Sequence, residues 1–125
     1  SFGQAKKLGN GSWKLNGCPM DGGGLVIDKS GNPETVWRRE GKIYAASPGT
    51  AEKEIGEGRG CSMETVNNKN IYAWSENGNV TIMKPSGVKL SLGKGSLPLV
   101  KALDNGHVVC VWENEKQILS TVVQL

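Results

Sequence analysis

The side chains with chemical potential gather around one long connection. The stretch 11–24 holds Trp13, Asn16 and Asp21 and ends on three consecutive glycines. A tryptophan ring can stack on a sugar face, and glycine lets the backbone approach a ligand or another strand closely. Arg38 and Arg39 are adjacent, and Arg59 is the third and last arginine. Guanidinium groups suit acidic ligands. Glu76 and Glu113 each follow a tryptophan within a polar turn and complete the set of ligand-binding candidates. Each residue also has a purely architectural reading. Trp13 can plug a gap between sheets, the glycines can simply permit sharp turns, and the arginines can pair with neighbouring glutamates.

The remaining reactive residue types offer less. Tyr44 and Tyr72 sit inside apolar strand-like runs, where the simple reading is core. His107 is the only histidine and has no Asp, Glu or second His at metal-ligand spacing. Asp104-Asn105-Gly106 before it reads as a hairpin turn. The three cysteines show no zinc spacing. Cys18 and Cys61 occupy matching contexts, Gly-Cys-Pro-Met and Gly-Cys-Ser-Met, while Cys110 lies within a strand. All three read as reduced, buried small residues, or Cys18 and Cys61 form a disulfide where geometry permits. No residue stands out as a catalytic group, and no cofactor or metal is expected.

Composition narrows the class. At 125 residues the chain fits one domain, 1–125, and its net charge of +3 is spread without a basic stripe. Nucleic-acid binding is not expected. No apolar run of about 18 residues exists, so no membrane helix is expected either. The start Ser1-Phe2-Gly3, with no initiator Met and no signal peptide, reads as processed, trimmed or incomplete.

The elements that must position these residues are written as a repeat. Trp37, Trp74 and Trp112 lie 37 and 38 residues apart. Each closes a β-branched or aromatic stretch and precedes a polar turn. A second marker recurs as Leu8-Gly9-Asn10-Gly11, Ile55-Gly56-Glu57-Gly58 and Leu92-Gly93-Lys94-Gly95. Repeats of about 40 residues made of short strands mark propeller blades. Apolar residues nowhere keep a helical period. The expected architecture is all-β, a propeller with three four-stranded blades per chain.

In the first blade, 22–58, the strands are 24–28, 34–38, 42–47 and 52–55. In the second, 63–95, they are 63–66, 71–75, 80–84 and 88–92. The third, 99–123, is partial, with strands 99–103, 107–112 and 117–123. Residues 4–9 resemble 51–56 and read as an orphan fourth strand. Equivalent tryptophans imply packing between adjacent sheets. The turns after each tryptophan and the connections 13–21, 59–63 and 96–98 would emerge on one face, where loops on a rigid scaffold carry binding.

Three blades fall below the usual propeller range of about four to eight. Exposed strand edges invite another chain. The expected partner is a second copy, giving a six-bladed homodimer in which the N-terminal strand of each copy completes the last blade of the other. Truncation of a longer propeller is the competing expectation.

The segment from Lys7-Leu8-Gly9-Asn10-Gly11-Ser12-Trp13 through Cys18-Pro19-Met20-Asp21-Gly22-Gly23-Gly24-Leu25, with Val36-Trp37-Arg38-Arg39, resembles bacterial sialidase-like, BNR-repeat propeller proteins. The resemblance spans essentially the whole chain. It implies a propeller fold and, from that family's habits, an exported protein. The family's Asp-box, Ser-x-Asp-x-Gly-x-x-Trp/Phe, has no intact copy here; Asp28-Lys29-Ser30-Gly31 matches it loosely. Sialidase chemistry would need an arginine triad, a Tyr nucleophile assisted by Glu, and an Asp acid/base. Arg38 and Arg39, as strand neighbours, would point to opposite faces. The expected function is therefore a non-catalytic module that binds a glycan or a protein on its loop-bearing face. A sialidase-like glycoside hydrolase, or a piece of one, is the alternative, and a purely structural assembly unit is the third.

Overall fold

A computed structural model describes residues 1–14 and 21–125 of the chain. The described residues form three antiparallel sheets, each a meander in sequence order. The first contains β1 (Gly23–Ile27), β2 (Pro33–Arg39), β3 (Lys42–Ala46) and β4 (Lys53–Glu57). The second contains β5 (Arg59–Val66), β6 (Lys69–Glu76), β7 (Asn79–Met83) and β8 (Lys89–Lys94). The third has β9 (Ser96–Ala102), β10 (His107–Asn114) and β11 (Gln117–Gln124), with β11 at its edge.

The three sheets follow the repeat read from the sequence, with several strand ends shifted by about two residues and two strands starting three or four residues early. β5 starts at Arg59 rather than 63, and β9 at Ser96 rather than 99. Bulges carry both extensions: the register shifts between Arg59 and Ser62 against β6, and between Val111 and Glu113 against β9. The second bulge explains how Pro98 sits within a strand. Leu99 and Ser96 pair with Val111 and Glu113, while Leu97 and Pro98 between them have no cross-strand partner and Pro98 is fully buried. Residues 4–9, expected as an orphan fourth strand for a second copy, carry no strand pairing among the described residues of the single chain.

Turn chemistry is repeated as faithfully as the strands. The β2–β3, β6–β7 and β10–β11 turns are Glu40-Gly41, Asn77-Gly78 and Glu115-Lys116, all with positive φ at both residues. Paired positive φ is the mark of the tight hairpin turn that matches strand twist. Two of the turns use glycine at the second position; the third places Lys116 there at φ 65°.

The middle sheet is buried on both faces. Tyr72 and Trp74 of β6 join Val26, Val36, Ile43 and Ile55 of the first sheet in one core. Ile71 and Ala73, pointing the other way by strand alternation, join Val100, Val108, Cys110 and Trp112 in a second core. Hence β6 reads as a continuous apolar run instead of an alternating one, as strands covered on both sides do. Glu64 adds a polar tie to the third sheet. It accepts hydrogen bonds from the Thr65 and Ala102 backbone N–H groups at 3.0 and 3.2 Å and pairs with Lys101 at 3.1 Å. Burial pushes its carboxyl up, but these contacts outweigh burial and hold it below the usual range.

The repeated markers lock one sheet to the next. A Cβ on Gly56 would lie 2.5 Å from Trp74, and one on Gly95 would lie 2.4 Å from Trp112. Trp112 also donates its Nε1–H to the Lys94 carbonyl at 3.0 Å. The tryptophan ring of each later sheet thus lies against the glycine marker of the sheet before it. This is why Trp74 is completely buried and Trp112 nearly so.

Candidate functional site

The end of the molecule that carries the β2–β3 and β6–β7 turns also carries the connections between sheets. The Gly58 N–H donates to Gly41 at 2.8 Å, and the Gly95 N–H to Gly78 at 3.0 Å. At this end residues 9–13 and Asp21 lie against the first sheet. There Gly11, Ser12, Trp13, Asp21, Gly22, Trp37, Arg38 and Arg39 line an open cleft of about 410 Å³. Four sequence candidates, Trp13, Asp21, Arg38 and Arg39, are therefore brought together.

Strand alternation separates the two arginines, as expected, and gives them different tasks. Arg38 pairs with Asp21 at 2.5 Å and donates its Nε–H to the Gly58 carbonyl at 3.1 Å. Its guanidinium lies 5.8 Å from the centre of the half-buried Trp13 ring, within cation–π range. Arg39 grips Glu52 through two nitrogens at 2.9 and 2.5 Å and lies 4.1 Å above the Tyr44 ring. The hydrogen-bonded Arg39 holds the Glu52 carboxyl down at about 2, below its ordinary 4.5, against the opposing effect of desolvation. Glu52 then accepts backbone N–H groups from Asn10 and Gly11, at 3.0 and 3.5 Å. Arg39 is thus committed to architecture, and the Arg38–Asp21 pair with Trp13 makes the polar and aromatic wall of the cleft.

The other candidates lie elsewhere. Arg59 begins β5 and is exposed, but it does not line the cleft. Glu76 accepts the Trp74 Nε1–H at 3.3 Å and serves the core. Glu113 is exposed on the third sheet opposite Ser96 and Ile118. Asn16 and Cys18, and with them the Cys18–Cys61 pairing, lie outside the described residues. Cys61 and Cys110 are buried, and burial pushes both thiols up to about 11. Among the described residues, no group of three His, Cys, Asp or Glu side chains gathers to hold a metal ion.

A second, larger cleft of about 720 Å³ lies between the first two sheets. Its wall includes Glu34, Lys53, Lys69, Asn70, Tyr72 and Lys84. The Tyr72 hydroxyl donates to the Glu34 carboxylate, which also accepts the Ser47 hydroxyl at 3.4 Å. Burial, and then the Glu34 contact, pushes the phenol well above its ordinary range, so Tyr72 stays protonated at neutral pH. Sequence reasoning missed this contact because Glu34 and Tyr72 belong to different repeats and no local pattern links them. No arginine lines this cleft, and neither tyrosine lines the other.

Comparison with protein-family models, with curated proteins and with solved structures finds no match to this chain. The sialidase-like resemblance therefore rests on the motifs quoted above.

Proposed function

We propose that the three sheets are blades of a propeller and that the chain is a non-catalytic binding module whose ligand is a glycan. Propeller geometry is supported by the way the sheets meet. Contacts between sheets concentrate on their first strands, with β5 lying against both β1 and β9. The glycan reading is carried by one observation: Trp13, Asp21 and Arg38 converge on an open cleft at the turn-bearing end. An aromatic face beside a fixed carboxylate–guanidinium pair offers stacking and hydrogen bonding to a sugar ring together.

Screening the protein on a glycan array tests the reading. Binding is expected, and Trp13→Ala should weaken it about tenfold or more, a loss of about 1.4 kcal/mol. Binding that is unaffected by Trp13→Ala would remove the cleft from the account. The Tyr72–Glu34 contact favours one second reading, a sialidase-like hydrolase. Turnover of a fluorogenic sialoside that Tyr72→Phe abolishes would establish it in place of the first.

A further inference from the structure

We infer that residues 4–10 of one copy of this chain add to the β11 edge of a second copy as its fourth strand, in one defined register. The inference is independent of the glycan reading and rests on the internal repeat.

In the first two sheets the fourth strand joins the third in the same way. Lys42, Ile43, Tyr44 and Ala45 pair with Glu57, Gly56, Glu54 and Lys53. Asn79, Val80, Thr81 and Ile82 pair with Lys94, Gly93, Ser91 and Leu90. Both ladders bulge at the same step, passing over Ile55 in one and Leu92 in the other. In both, the second glycine of the marker donates its N–H to the last residue of the preceding turn, Gly41 or Gly78. The equivalent third strand, β11, opens with Gln117, Ile118, Leu119 and Ser120, and no strand lies on its outer side among the described residues.

The N-terminal segment already occupies the place that such a fourth strand requires at its far end. A Cβ on Gly9 would meet the Trp37 ring at 2.9 Å, as Gly56 meets Trp74. In the two complete sheets a glycine of the fourth-strand marker lies against the tryptophan of the following sheet, the first glycine, Gly56, against Trp74 and the second, Gly95, against Trp112. Residues 1–7 are exposed, and residues 1–8 make no hydrogen bond among the described residues. The segment is therefore docked at its marker and unpaired along its backbone.

Transferring the register gives Gln117 opposite Asn10, Ile118 opposite Gly9, Leu119 opposite Lys7 and Ser120 opposite Lys6. Leu8 takes the bulge position of Ile55 and Leu92. The Gly11 N–H then donates to the Lys116 carbonyl.

The sheet faces agree with the edges. Leu99, Ile118 and Val122 on the outer side of the third sheet are 68, 72 and 57% exposed. Ile118 is the repeat equivalent of Ile43 and Val80, both completely buried against the next sheet. On the far side of the molecule, Leu25 and Ile27 are 67 and 62% exposed beside the half-buried Trp37. The third sheet of one copy thus presents what the first sheet of another is patterned to receive. A contact of unlike surfaces of this kind closes into a ring or runs on as an array.

Two variants that each add one exposed cysteine, Lys6→Cys and Ser120→Cys, made in a Cys18→Ser background that keeps the buried Cys61 and Cys110, test the register. Mixed and mildly oxidised, they should form a disulfide-linked hetero-pair in high yield. Lys6→Cys mixed with Val122→Cys, two residues out of register, should not. Light scattering on the unaltered chain should give a multiple of 13.3 kDa. Leu8→Asp should return the mass to one chain with an unchanged far-ultraviolet circular dichroism spectrum, since Leu8 lies outside every described strand. A single-chain mass at all concentrations, or equal cross-linking in and out of register, overturns the proposal.

Discussion

At the residue scale, the site shows how neutralised charge can still build a surface. Glu52 links three partners: the Arg39 guanidinium and the Asn10 and Gly11 backbone. Its folded carboxyl titrates at about 2, below the ordinary 4.5. A depressed folded value means the anion stabilises the fold. The contribution is complete above pH 4.5 and is lost as pH falls toward about 2. Amide exchange should therefore show Asn10 protected down to roughly pH 4.5 and unprotected toward pH 2. Protection that survives to pH 2 would mean that Glu52 does not anchor the segment. The sequence displayed the members of this site but not their partners. Arg38 and Arg39 were expected on opposite faces, and pairing with acids was one of two open readings. Nothing local linked Glu52 to Asn10, which lies 42 residues away.

At the element scale, glycine placement separates tolerance from necessity. Gly58 has φ +136°, and a Cβ there would lie 2.0 Å from the Ser75 carbonyl oxygen. Backbone yields poorly, so Gly58→Ala should destabilise by about 3 kcal/mol or more, read by denaturant unfolding. Gly31 and Gly49 also have positive φ, but nothing lies within 4 Å, so alanine at either should cost only about 1 kcal/mol. Lys116 presents the reverse case. It occupies a left-handed position that its two sister turns give to Gly41 and Gly78. Lys116→Gly should stabilise the hairpin by about 1 kcal/mol, visible as a raised denaturation midpoint. Strand identities were legible because tryptophans and turns recur. The early starts of β5 and β9 were not, because a bulge shows no period and Pro98 argues locally against a strand.

At the scale of the whole molecule, the middle sheet shares a core with each of its neighbours, whereas each outer sheet shares one core with the middle sheet alone. Amides of β6, covered on both faces, should exchange last, and those of the outermost strands β4 and β8 first. Uniform exchange across the three sheets would contradict this ranking. The doubly covered sheet was legible in the run Ile71-Tyr72-Ala73-Trp74, which has no polar face to spare. The angle at which one sheet meets the next was not, since the repeat specifies only what each sheet touches.

The glycine-to-tryptophan lock reaches only from one repeat to its successor, and every sheet is woven from consecutive strands. Such a molecule has a modular grammar. Copying one unit of 37 residues, the distance from Trp37 to Trp74, would insert a new layer whose upper and lower surfaces both already have matching neighbours. Lengthening this protein by duplication should therefore demand no new interface, whereas losing half a unit would leave a bare tryptophan on one side and an unfilled glycine cradle on the other.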